Sequence, residues 1–170
     1  MKALIFSATF LALAACSTTN SLTGKPWSPE AALTQVQEGE AAMVFYRTKS
    51  DSPVAVNIHI NGEYLSSLQQ DAYTQIETCA QPQRIGAFVV DTDAAYLAKN
   101  TRGAEFNPPV NSISYFKVNV ADDNQVTLTL VDPQVAQQEV SNKRQSNTLS
   151  RVDKRNTCTS TAVPLDGAAQ

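Results

Sequence analysis

The stretch from Val54 to Leu68 constrains the fold more than any other. Val54, Val56, Ile58 and Ile60 alternate with Ala55, Asn57 and His59, which is the period of a strand buried on one face. Asn61-Gly62 follows at once. A two-residue type I′ turn needs positive φ at both central positions, and Asn-Gly adopts it most readily. Glu63 to Leu68 then returns as the partner strand. A lone hairpin is marginal in water, so this one calls for further strands behind a shared apolar face.

The rest of the chain supplies them. Met43-Val44-Phe45-Tyr46 is a short apolar and aromatic run, and Tyr73 to Cys79, Arg84 to Val90, Ser114 to Val120 and Gln125 to Val131 are strand-like in turn. Phe116, Val118 and Val120 share one face, as do Val126, Leu128 and Leu130. About seven short strands with turn signals between them predict an all-β chain, a single antiparallel β-sandwich. Two short helices flank it. Ser28-Pro29-Glu30 is a cap followed by proline at the first helical position, with Ala31, Ala32, Leu33 and Val36 as an apolar stripe and an end by Gly39. Asp132-Pro133 repeats the device and predicts a helix to about Val140. Residues 91–111 carry no clear period, and Pro108-Pro109 fits a loop or an edge.

The N-terminus fixes a compartment. Lys2 precedes an apolar run from Ala3 to Leu13, and small residues close it, the layout of a secretory leader. The run is too short to span a bilayer, which takes about 20 residues. Leu13-Ala14-Ala15-Cys16 resembles the lipobox of bacterial lipoproteins. That resemblance implies cleavage before Cys16, diacylglycerol on its thiol and acylation of the new amino terminus. Two or more buried chains hold a protein stably at a membrane. Ser17 and Thr18 follow, where an Asp marks retention at the inner membrane in many relatives, so the expected place is the periplasmic face of the cell outer membrane. The chain then divides into a leader at 1–15, a tether at 16–27, a sandwich domain at 28–158 and a disordered tail at 159–170.

Three cysteines are present. With Cys16 lipidated, Cys79 and Cys158 remain, and an oxidising periplasm favours a bridge between them over two free thiols. The net charge is −3, and about −4 once the leader with Lys2 is gone. A mildly acidic domain argues against a nucleic-acid partner.

Met43-Val44-Phe45-Tyr46-Arg47, a polar loop, and then Val56 to Leu65 around Asn61-Gly62 carry a family resemblance. They resemble the β-sandwich domain of DUF2846-like bacterial lipoproteins. With Leu65-Ser66-Ser67-Leu68, Tyr73, Cys79 and Asn147 to Val152, the stretch is similar to the N-terminal region of some proteobacterial OmpA-family lipoproteins. The resemblance covers most of residues 40–155 and implies a lipid-anchored sandwich. Those longer relatives continue into an OmpA-like domain. Here the sequence closes at Gln170 without it, so peptidoglycan binding does not carry over.

No residue set points to catalysis, and no cofactor or metal is expected. His59 alternates onto the outer face and reads as a surface histidine. Asp91, Asp93, Asp122 and Asp123 fit turns better than a calcium loop or a carboxylate pair. No G-x-S-x-G, P-loop or dinucleotide glycine pattern occurs. The basic segment Lys143, Arg144, Arg151, Lys154 and Arg155 reads first as a solvated stretch held by the disulfide; its functional lean is as a face for lipid headgroups, an anionic glycan or an acidic envelope protein. Exposed strand edges offer a second route to a partner. The expectation is a non-enzymatic interaction or structural module. The alternative is a glycan- or lipid-binding module using a sandwich edge or the 91–111 loop with Tyr96 and Phe106.

Overall fold

The computed structural model describes residues 35–49, 52–90, 102–141, 143–146 and 150–158. The leader, Cys16, the tether, most of the expected first helix, Tyr96 and the tail lie outside them. The strands are β1 (Glu40–Tyr46), β2 (Val56–Ile60), β3 (Glu63–Leu68), β4 (Ala72–Cys79), β5 (Gln83–Val89), β6 (Ala104–Phe106), β7 (Ser112–Val120), β8 (Val126–Val131) and β9 (Arg144–Gln145). Two helices follow β8, α1 (Pro133–Val140) and α2 (Lys154–Cys158). One sheet has the order β8-β7-β1-β4-β9 and the other β3-β2-β5-β6.

The β-sandwich is as the periodicity predicts, with two exceptions to antiparallel pairing. β1 runs parallel to β7, and β4 parallel to β9. The reason is connectivity: between β1 and β7 the chain crosses to the second sheet for β2 and β3, returns to lay β4 on one side of β1, crosses again for β5 and β6, and comes back on the other side of β1. β1 therefore lies inside its sheet and is buried on both faces. That explains why Ala41 to Tyr46 is a continuous apolar run rather than an alternating one. Met43 and Phe45 face the inter-sheet core, with Val56, Ile58, Ile60, Leu68, Phe116 and Val118. Val44 and Tyr46 face the other way, into a second cluster with Tyr73, Tyr115 and the α1 residues Ala136 and Val140.

Register places the aromatic centre. Phe45 pairs with Phe116 across β1 and β7, and their rings stack at 5.2 Å. Phe106, on the three-residue β6, stands edge-on to Phe116 at 4.9 Å. β6 was not legible as a strand, since three residues carry no period.

The hairpin forms at Asn61-Gly62, with φ of 52° and 86°. Its tip is bolted to β5: Asn61 Oδ1 accepts from the Arg84 N–H at 2.8 Å, and Asn61 Nδ2 donates to Gln83 Oε1 at 2.6 Å. α1 starts as read, with the Asp132 carboxylate accepting from the Gln134 and Val135 N–H groups. Such a cap contributes about 1 kcal/mol. The helix expected from Ser28 does not reach Gln35, and Glu38-Gly39 form a turn into β1.

Candidate functional site

Side chains of β2, β3 and β5 that point away from the core build a cluster on the outer face of the four-stranded sheet. His59 stands opposite Gly86 on β5 and Tyr64 on β3. A Cβ at position 86 would lie 2.7 Å from the Phe88 ring and 2.8 Å from the Arg102 carbonyl. Glycine there lets Phe88 fold over beside His59. The imidazole is edge-on to Tyr64 at 5.8 Å and to Phe88 at 6.2 Å. The Arg102 guanidinium lies 4.2 Å over Phe88, within cation–π range.

This corrects the sequence reading of His59. It is on the outer face, but it is 4% exposed rather than a surface residue. Alternation tells which side of a sheet a residue occupies; it does not tell whether neighbouring aromatics close over it. Beside the rings runs a short polar chain. Tyr64 Oη and Ser67 Oγ are 2.7 Å apart, and Ser67 donates to Asn57 Oδ1 at 2.6 Å. The serine proton is thus committed to an amide oxygen, which is no base. The trio orders the face and does not make a nucleophile.

Burial lowers the His59 pKa below its ordinary 6.5; the Gly62 carbonyl and Glu63 oppose this, and Arg102 reinforces it. The unfolded chain therefore takes up its proton first as the pH falls. Stability contributed by the neutral ring is complete above 6.5 and drains below it, until the folded imidazole protonates too. We expect wild-type stability, from urea midpoints, to decline as the pH falls below the ordinary histidine value of about 6.5, and His59→Gln to flatten that slope. Parallel slopes in the two proteins would contradict this account.

The other outer face carries a second polar cluster. Glu139 on α1 accepts from Tyr46 Oη at 2.6 Å and from Lys117 Nζ at 2.8 and 3.1 Å. The lysine bond, then the tyrosine bond, hold the Glu139 carboxyl below its ordinary value. Burial foremost, then Glu139, push the Tyr46 phenol above its ordinary range. A neutral phenol under a helix locks α1 to the sheet and is not poised to react.

The basic segment is divided up by the structure. Lys143 is buried and pairs with Asp71 at 2.8 Å. Lys154 pairs with Glu40 at 2.6 Å and Glu77 at 3.1 Å. Lys143 is thus paired inside the domain, whereas Lys154 keeps part of its side chain at the surface. Arg151 is exposed and its backbone N–H donates to the Tyr64 carbonyl. Arg144 begins β9 and Arg155 lies in α2; their side chains are outside what the structure describes. Cys79 and Cys158 form the expected disulfide, with Cα atoms 4.9 Å apart. Phe106, proposed for ligand contact, turns into the core instead.

An open groove of about 640 Å³ lies between the end of β5 and the β7–β8 turn. Phe88, Val89 and Val90 line one side, Asn124, Gln125 and Val126 the other, and Arg102 the rim. Its donors and acceptors are amides and one guanidinium. Such a lining can hydrogen-bond a neutral or anionic ligand, and among the described residues it offers no acid–base pair. The sequence carried no signal for it, because its walls come from separate strands. Among the described residues no three His, Cys, Asp or Glu side chains gather as a metal site, and no helix is long and apolar enough to cross a membrane. Comparison with protein-family models, curated proteins and solved structures finds no match to this chain.

Proposed function

We propose that this chain is a lipoprotein anchored through Cys16 to the periplasmic face of the outer membrane. Its β-sandwich acts there as a non-enzymatic interaction or structural module. The observation that carries the reading is the Cys79–Cys158 bridge. Such bonds persist in oxidising compartments. The bridge uses both cysteines of the domain and leaves Cys16, behind Leu13-Ala14-Ala15, as the remaining thiol. The resemblance of residues 40–155 to DUF2846-like sandwich lipoproteins points the same way. The two outer-face clusters supply internal order, which supports a binding role over catalysis.

Mass spectrometry of the chain recovered from membranes should give a mature N-terminus at residue 16 carrying fatty acyl groups. Cys16→Ala should leave the leader uncut and the protein without acyl mass. A mature chain with no lipid on residue 16 would sink the anchor and the location together.

A glycan- or lipid-binding role is the second reading. The groove beside Phe88, with Asn124 and Gln125 facing it, favours that reading. A thermal shift with cell-wall fragments or lipid that Gln125→Ala abolishes would raise it above the first.

A further inference from the structure

β8 is the edge strand of its sheet, and its sequence is Val126-Thr-Leu-Thr-Leu-Val131. Natural sheets guard a long edge with charge, proline, a bulge or a covering segment. The other edges of this sandwich are guarded. On β3 the Tyr64 carbonyl accepts from the Arg151 N–H at 2.8 Å, and the Ser67 carbonyl from Ser146 Oγ at 2.7 Å. β9 covers part of β4, and β6 is only three residues long. Within β8 there is no charge and no proline. No described strand pairs with its outer side. Thr127 and Thr129 are exposed, and Leu130 is 57% exposed although it lies on the core-facing side of the strand.

The ladder shows which groups that edge offers. The Ala121 N–H donates to the Gln125 carbonyl at 2.9 Å, so position 125 faces β7 through its hydrogen-bonding groups. Pairs in an antiparallel ladder alternate between bonded and non-bonded. In the observed register Thr127, Thr129 and Val131 are then bonded to β7. Val126, Leu128 and Leu130 turn their N–H and C=O groups outward.

We infer that β8 pairs edge to edge with β8 of a second copy of this chain, antiparallel, about a two-fold axis at Leu128. In that register Leu128 faces Leu128, Val126 faces Leu130, and Thr127 faces Thr129. Val126, Leu128 and Leu130 each meet an apolar residue and threonine meets threonine, a favourable cross-strand pair, while Val131 at the end of the strand faces Gln125. Outward groups meet outward groups, giving about six main-chain hydrogen bonds. A slip of one residue sets outward groups against inward ones, and a slip of two shortens the overlap. Asp132 comes opposite Asn124 rather than another acid. Isologous pairing uses the open edge of both copies, so the assembly stops at a dimer. None of this rests on the anchor reading; a shared membrane would only raise the local concentration.

Sedimentation of the full-length chain, as wild type and as Cys16→Ala, tests it. Both should show a concentration-dependent dimer, which separates edge pairing from association through lipid. Leu130→Pro takes no bond from β7, because the Leu130 N–H points outward, but it obstructs an incoming strand. It should weaken the dimer at least about tenfold. Thr127→Cys with Thr129→Cys places two cysteine pairs across the new ladder and should give a covalent dimer on oxidation, while Thr127→Cys alone gives little. The paired cysteines also decide the matter should the proline variant misfold. A wild-type chain that stays monomeric at about 0.1 mM overturns the proposal. So does a dimer that the proline leaves intact and the paired cysteines fail to link.

Discussion

Replacing Arg47 by alanine is expected to destabilise the sandwich by about 3 to 5 kcal/mol, an effect legible as a lowered urea midpoint with the disulfide intact. Arg47 follows β1 and is 1% exposed. Its guanidinium donates through Nη1 to the Val54 carbonyl at 2.5 Å and the Leu68 carbonyl at 3.2 Å, and through Nη2 to the Ser52 carbonyl at 3.2 Å. Val54 leads into β2 and Leu68 ends β3, so one side chain of the five-stranded sheet ties down two segments of the other. Burial lowers its pKa, yet a guanidinium stays charged in proteins.

Each hydrogen bond from a charged donor contributes about 1.5 to 3 kcal/mol, and the bonds here share one donor, so they do not simply add. Alanine would leave buried carbonyls without that donor and a cavity where the stem packed. Against a total stability of about 5 to 15 kcal/mol, the loss is large. Arg47→Lys should recover only part of it, since a single ammonium cannot match a planar fork aimed at separate carbonyls. Midpoints within about 1 kcal/mol of wild type for alanine, or full recovery by lysine, would show that the carbonyls find water instead.

Arg47 also illustrates what a sequence does and does not disclose. It follows a recognisable apolar run, but nothing local marks it as buried, because its acceptors lie on other strands. Lys143 is the same case with a carboxylate partner in place of backbone carbonyls. It reads as one charge in a solvated basic stretch, yet it is buried against Asp71, a residue of the β3–β4 turn. The features that were legible are those set by neighbours in sequence. Alternation in β2, β7 and β8 gave the core face, Asn61-Gly62 gave the hairpin, and Asp132-Pro133 gave α1 with its cap. Those set by distant neighbours were not legible: the parallel β1–β7 pairing, the two-residue β9, the closure of Phe88 over His59, and the groove. The fold class follows from periodicity because periodicity is local. The site does not, because its walls are assembled by register between strands.

Removing the disulfide should have the second large effect. Cys79 ends β4 and Cys158 ends α2, 79 residues apart. On the chain-entropy model a loop of that length is worth about 4 to 5 kcal/mol. The bridge matters more here because the Arg151 N–H on the Tyr64 carbonyl and Val152 against the core hold the start of residues 150–158, while α2 at its end has weaker ties. α2 has five residues, far below the length at which a helix persists alone. Its ion pairs through Lys154 to Glu40 and Glu77 are partly exposed and contribute little. The Thr157 carbonyl accepts from Gln81 Nε2 at 2.6 Å and Gln83 Nε2 at 2.8 Å. Such bonds contribute about 1 kcal/mol each. Ordering each residue's backbone costs about 1 to 2 kcal/mol, so these contacts do not offset the ordering of α2 without the covalent link.

Cys79→Ser with Cys158→Ser is therefore expected to lower global stability by about 4 kcal/mol. It should also release the segment locally. Backbone amides of residues 151–158 should lose hydrogen-exchange protection under native conditions, while those of β1, β4 and β7 keep theirs. Gln83, buried and bound to the Thr157 carbonyl, is the core residue that should sense the release first. A variant whose amides from 151 to 158 stay as protected as in the wild type would mean that α2 is held by its side chains. The bridge would then act only on the unfolded chain.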